Sequence, residues 1–111
     1  MLNSEKKYLH LRIFVPLEKQ SEFFSFLEKA KRFYEKPGGI SVKLYREDHH
    51  PEKFIEVIEY DNKKIFDEDQ LRVENDHEMK SYLNQWRTML SAVVEVESYT
   101  DITEKLENNN E

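Results

Sequence analysis

The chain predicts an α+β fold, a four-stranded antiparallel sheet carrying two helices in the order β-α-β-β-α-β. Three observations carry that expectation. Two stretches, near residues 18–35 and 75–91, repeat apolar side chains every three or four positions, the period of a helical face. Four other stretches alternate residue by residue, the period of a strand. Turn formers separate them, notably Pro16, Pro37-Gly38-Gly39 and Asp48-His49-His50-Pro51-Glu52.

The first strand spans residues 8–15. Leu9, Leu11, Ile13 and Val15 share one face and Tyr8, His10, Arg12 and Phe14 the other, and Pro16 ends it because proline brings no N–H to a ladder. Phe23, Phe26, Leu27, Ala30, Phe33 and Tyr34 then follow a helical face over residues 18–35, with glycine available behind them for a left-handed cap. A second strand covers residues 40–47, with Ile40, Val42 and Leu44 opposite Ser41, Lys43 and Tyr45. A third covers residues 53–60, with Ile55 and Val57 on one face and Phe54, Ile58 and Tyr60 on the other. Residues 61–73 are mostly polar, anchored by Ile65, Phe66, Leu71 and Val73, and suit a short helix. Asn75 and Glu78 have the spacing of a capping box. Behind them Met79, Tyr82, Leu83, Trp86, Met89 and Leu90 form an apolar helical stripe ending near Ser91. Residues 92–100 read as the fourth strand. This is the ferredoxin-like order, so the expectation is a polar lead over residues 1–7, one domain over 8–100 and a polar, mobile tail over 101–111.

Composition removes several function classes. At 111 residues the chain suits a single core, and 17 basic against 23 acidic residues give a net charge of −6, the wrong sign for gripping nucleic acid. Residues 11–15 look like the first strand of an RNA-recognition domain, but residues 53–59 lack the glycine-bearing basic and aromatic motif that stacks bases. Gly38 and Gly39, the only glycines, follow a helix rather than precede one, so no phosphate-cradling loop is expected. Zero cysteines exclude disulfides and thiolate chemistry. No apolar run approaches the ~20 residues that span a bilayer, and residues 1–7 do not resemble a signal peptide. The expectation is a small cytoplasmic domain with no cofactor, no nucleic-acid partner and no membrane partner.

The sheet pattern also predicts assembly. Two helices cover one face of a four-stranded sheet, and the second face would keep Tyr8, Phe14, Tyr45 and one apolar face of the third strand. A second copy packed sheet to sheet would cover it, so a homodimer is expected. Arg12 and His10 would then lie beside Glu56 or Glu59 and beside Glu95 or Glu97, as ion pairs that fix the interface.

The segment Phe66-Asp67-Glu68-Asp69-Gln70-Leu71-Arg72-Val73-Glu74-Asn75-Asp76, followed by Glu78-Met79 and Trp86-Arg87, resembles the second helical region of small dimeric α/β-barrel proteins of the antibiotic-biosynthesis-monooxygenase-like and NIPSNAP-like families. The resemblance in element order covers residues 7–100. It implies a sheet-to-sheet dimer and a ligand cavity between helices and sheet; the families include cofactor-independent oxygenases of aromatic polyketides and haem-degrading enzymes. Trp86 matches the tryptophan of the haem-degrading set, but the first strand has no asparagine to complete it.

The candidate ligand wall is Trp86 with Tyr34, Tyr82 and Met89, suited to a small, partly aromatic molecule with a polar handle. The same residues serve equally well as plain core. Arg12 is a candidate ligand contact and His10, on its face, a candidate general base, against the alternative of interface packing. His49 and His50 with Asp48 and Glu52 are a poor chelate, since adjacent side chains on an extended turn point apart, and no metal site is expected. His77 falls in the first turn of the second long helix, in solvent. The function expected is binding of a small, partly aromatic metabolite by a homodimer, with a cofactor-independent monooxygenase or a non-catalytic structural dimer as alternatives.

Overall fold

Alternating strands with one face rich in Leu, Ile and Val must bury that face, and here helices do so. The computed structural model describes residues 5–108. Its elements are β1 (Lys7–Phe14), α1 (Gln20–Glu35), β2 (Ile40–Arg46), β3 (Lys53–Tyr60), α2 (Lys63–Asn75), α3 (His77–Thr88), β4 (Glu95–Thr100) and a short α4 (Glu104–Asn108). The strands form one antiparallel sheet in the order β2-β3-β1-β4, the ferredoxin-like arrangement.

Register fixes the two faces. Ile13 lies opposite Phe54, Leu11 between Glu56 and Val96, and Leu9 opposite Ile58. With Ile40 opposite Tyr60 and Val42 opposite Ile58, these residues make the helix-covered face. From α1, Phe23, Leu27, Ala30 and Tyr34 descend onto it at steps of four, three and four, and from α3 come Met79 and Trp86, followed by Met89. Burying each large apolar side chain of this kind is worth about 1.5–3 kcal/mol. The other face carries Tyr8, His10, Arg12 and Phe14 beside Ile55, Val57, Glu95, Glu97 and Tyr99; α1, α2 and α3 lie on the opposite side, and α4 reaches only its edge, where Lys105 and Leu106 line a shallow pocket with Tyr8, His10 and Tyr99.

Several boundaries differ from the sequence expectation. The first strand starts at Lys7, and Val15 lies just past it, still buried, donating its N–H to the Glu52 carbonyl at 2.8 Å. A 3-10 turn over Leu17–Lys19 precedes α1. The polar stretch after β3 forms a helix of 13 residues because Asn62 caps it, accepting from the Ile65 N–H at 2.9 Å. The expected capping box at Asn75 is not formed. Asp76 caps α3 instead, accepting from the Met79 N–H at 2.8 Å while its own N–H closes α2 on the Arg72 carbonyl. Asn75 is the last residue of α2 and so has helical backbone, which leaves the extended cap position to its neighbour. The last strand begins at Glu95 rather than near residue 92, because the Ser91 N–H already takes the Phe14 carbonyl and residues 92–94 loop away from that edge. The C-terminal stretch, expected as an irregular tail, includes α4, with residues 109–111 outside the described part.

One glycine is sterically required. Gly39, at φ +74°, turns the chain from α1 into β2, and a Cβ there would collide with the Ile65 side chain of α2.

Candidate functional site

Between the helix-covered face and the helices lies a cavity of about 250 Å³. Leu9, Leu11, Ile58 and Val96 of the sheet, Val94 just before β4, and Val73, Met79 and Leu83 of the helices give it mostly apolar walls. Val96 is 60% exposed, so the cavity opens at the β4 edge.

At its floor sits a carboxyl group. Strand alternation places Glu56 in phase with Phe54, Ile58 and Tyr60, so it points at the helices, and only 2% of it is exposed. The Trp86 indole N–H donates to Glu56 Oε1 at 3.1 Å. Among the described residues no other group bonds the carboxyl. Burial pushes its pKa up to about 7, with the indole bond pulling the other way. An acid that ordinarily titrates near ~4.3 thus lies close to half-ionised at neutral pH.

The roof is pinned by an ion-pair network. The Tyr60 hydroxyl donates to Asp69 Oδ2 at 2.7 Å, and Arg72 Nε donates to Asp69 Oδ1 at 3.0 Å. Arg72 also donates to the carbonyls of Phe33 and Tyr34 at 3.1 and 2.8 Å, satisfying the free C-terminal end of α1. Burial and the adjacent Asp69 charge push the Tyr60 hydroxyl above its usual range, and burial with the Glu56 charge does the same to Tyr34. Gln70 contributes an amide nitrogen, Nε2, that is buried with no hydrogen-bond partner.

The sequence candidates divide between two places. Trp86 and Tyr34 line the cavity. Tyr82 stacks on Phe33 at 4.9 Å, in the seam between α1 and α3, and Met89 is buried core; neither lines the cavity. His10 and Arg12 lie on the opposite face of the sheet. Arg12 pairs with Glu97 at 3.1 Å, and the His10 ring tilts against Tyr99 at 4.8 Å. Of the carboxylates expected beside them, Glu59, Glu95 and Glu97 share their face, Glu59 paired with Lys6, whereas Glu56 points the other way. His49, His50 and His77 are exposed, and among the described residues no group of three or more His, Asp and Glu could hold a metal ion. Glu56 and Gln70 are the cavity residues that sequence reasoning missed. Glu56 had a legible signal, its phase with Phe54, Ile58 and Tyr60; Gln70 had none.

The fold recurs among solved structures. A conserved protein from Methanosarcina mazei Go1 superposes with a TM-score of 0.72 at 20% identity, over 86% of this chain and 92% of that one. A protein from Nitrosomonas europaea provisionally assigned as an antibiotic biosynthesis monooxygenase gives 0.72 at 11% identity, over 90% and 92%. SnoaB, a cofactor-independent oxygenase from Streptomyces nogalater, gives 0.70 at 13% identity, over 89% and 94%. No family model matches the sequence, and no curated protein matches it. The chain therefore has the ferredoxin-like fold of antibiotic-biosynthesis-monooxygenase-like proteins. Among the described residues no helix is long and apolar enough to cross a membrane.

Proposed function

We propose that this protein binds a small, flat, largely apolar molecule in the cavity between sheet and helices, and does so as a homodimer closed through the open sheet face. The observation that carries the first part is a mostly apolar cavity of about 250 Å³ with a polar pair, Glu56 and Trp86, at its floor. Trp86 and Tyr34 are its binding residues. The dimer is supported by the face that bears Tyr8, Phe14, Ile55 and Val57 together, an apolar area that monomers seldom leave bare. There Arg12, with His10, would meet the partner rather than the ligand. Naphthalene, which is flat, apolar and small enough for the cavity, is the test ligand. Binding should displace the indole N–H resonance of Trp86, the only tryptophan, and Trp86→Ala should lose binding while native mass spectrometry still finds twice the 13.5 kDa chain mass. Unchanged naphthalene binding in Trp86→Ala would reject the cavity, and a monomer in the native protein would reject the dimer.

A second reading, a cofactor-independent monooxygenase, is favoured by one feature, a titratable carboxyl at the floor of a mostly apolar cavity. The substrate, once deprotonated there, would react with dioxygen directly. On this reading Glu56 rather than His10 is the base, since His10 faces away from the cavity. Oxygen uptake with anthrone-type substrates, abolished by Glu56→Gln, is the expected result; no uptake rejects it.

A further inference from the structure

Glu56 is an expensive residue to keep. A carboxyl this deeply buried costs several kcal/mol when ionised unless it is paired, and its one partner is a neutral indole N–H. Among the described residues no arginine or lysine bonds it; Arg72 is committed to Asp69 and to the end of α1. Its Oε1 is occupied and its Oε2 has no partner among the described residues, on the floor of a cavity whose sheet wall is otherwise aliphatic apart from Tyr60. Gln70 Nε2, a second polar atom without a partner, lines the same cavity. Two unmet hydrogen-bonding groups of opposite kind, an acceptor and a donor, around one apolar space are what a polar-edged ligand would satisfy.

We infer that Glu56 is a ligand-binding residue whose free oxygen accepts a hydrogen bond from a hydroxyl group on a flat, neutral, aromatic ligand, with Trp86 holding the other oxygen in place. This rests on the cavity being the binding site. The chemistry discriminates among ligands. A carboxylate ligand beside Glu56 would bring a second negative charge to a buried acid, which disfavours it there. A hydrocarbon fills the walls but leaves Glu56 unmet. A hydroxyl satisfies it, and the bond is strongest to the ionised carboxylate, because hydrogen bonds to charged acceptors are about twice as strong as neutral ones. Hydroxyl binding therefore favours the ionised form of Glu56 and should strengthen as pH rises. The other titratable groups at the cavity are Tyr34 from α1, Tyr60 from β3, Asp69 from α2 and Arg87 from α3, while β1 and β4 present only apolar side chains. Both tyrosines are pushed above their usual range, and burial brings Glu56 up to about 7; Asp69 is bonded by Arg72 and Tyr60.

The test compares 2-naphthol with naphthalene and 2-methoxynaphthalene, which bracket it in size and lack the donor, using isotope-labelled native protein and the single Trp86 indole resonance as readout. At pH 8 the native protein should bind 2-naphthol at least tenfold more tightly than either control, and the ratio should shrink at pH 5.5. In Glu56→Met the three should bind within twofold of one another. If none of the three binds the native protein, the cavity reading itself fails. If all three bind alike, the cavity stands and the role of Glu56 falls. A preference that ignores pH, or that survives in Glu56→Met, also overturns it; should that variant not fold, the pH series on the native protein decides alone.

Discussion

Two glutamates on the strands either side of β1 show what the two faces of one sheet do to the same side chain. Glu56 on β3 points at the helices, is buried, and has its pKa pushed up to about 7 by loss of water. Glu97 on β4 points to the open face. The Tyr99 hydroxyl at 2.7 Å and the Arg12 guanidinium at 3.1 Å hold its carboxyl below the usual range. Identical chemistry is thus driven in opposite directions by desolvation on one side and by donors in water on the other. The buried face builds a chemically poised cavity; the open face offers charge and apolar area to a partner.

The contrast can be broken most severely at Trp86. Trp86→Ala removes a buried side chain and the only bond to Glu56, and should cost about 3–5 kcal/mol in urea unfolding. Glu56 gives the next effect. Its folded pKa lies above its unfolded value, so its contribution is intact below about pH 4.5 and is lost as pH rises through about 7. By pH 8 the loss approaches about 3 kcal/mol. Glu56→Gln should therefore flatten the fall in stability between pH 5 and pH 8, measured by urea midpoints; an equally steep fall in the variant would show that Glu56 is not the group responsible. A cap is worth less: Asp76→Ala frees the Met79 N–H and should cost about 1 kcal/mol, with the cavity resonances unshifted.

On the open face the readout is assembly rather than stability. Val57→Glu should convert the proposed dimer to monomer in mass spectrometry while naphthalene binding persists, which would separate the two faces functionally. Smallest of all, in the Val57→Glu background, where the open face is uncovered, Glu97→Gln should leave the urea midpoint where it was, since in the single chain Arg12 and Glu97 are both solvated. A large loss there would mean that the open face is buried in a way the single chain does not show.

Much of the fold was legible in local pattern. The alternation of residues 53–60 gave β3 to the residue, and the stripe from Phe23 to Tyr34 gave α1 apart from its opening 3-10 turn. Caps were less legible, because Asn75 and Asp76 are both good cap residues and only the end of α2 decides between them. Of the cavity, Trp86 and Tyr34 were visible as members of apolar helical stripes, whereas Tyr82 and Met89 belonged to the same stripes and yet fell outside it.

The sequence by itself determined which residues alternate together: Leu9 with Leu11 and Ile13, His10 with Arg12, Glu56 with Phe54 and Ile58. It did not determine which set of β3 the helices would cover, because both were apolar and a period of two assigns faces without naming them. That choice belongs to the tertiary structure, where the pairing of Leu11 with Glu56 and the descent of Trp86 onto the same face are settled together. Once made, it separates His10 from the cavity and gives the site to Glu56, since a strand cannot turn one side chain over without turning them all.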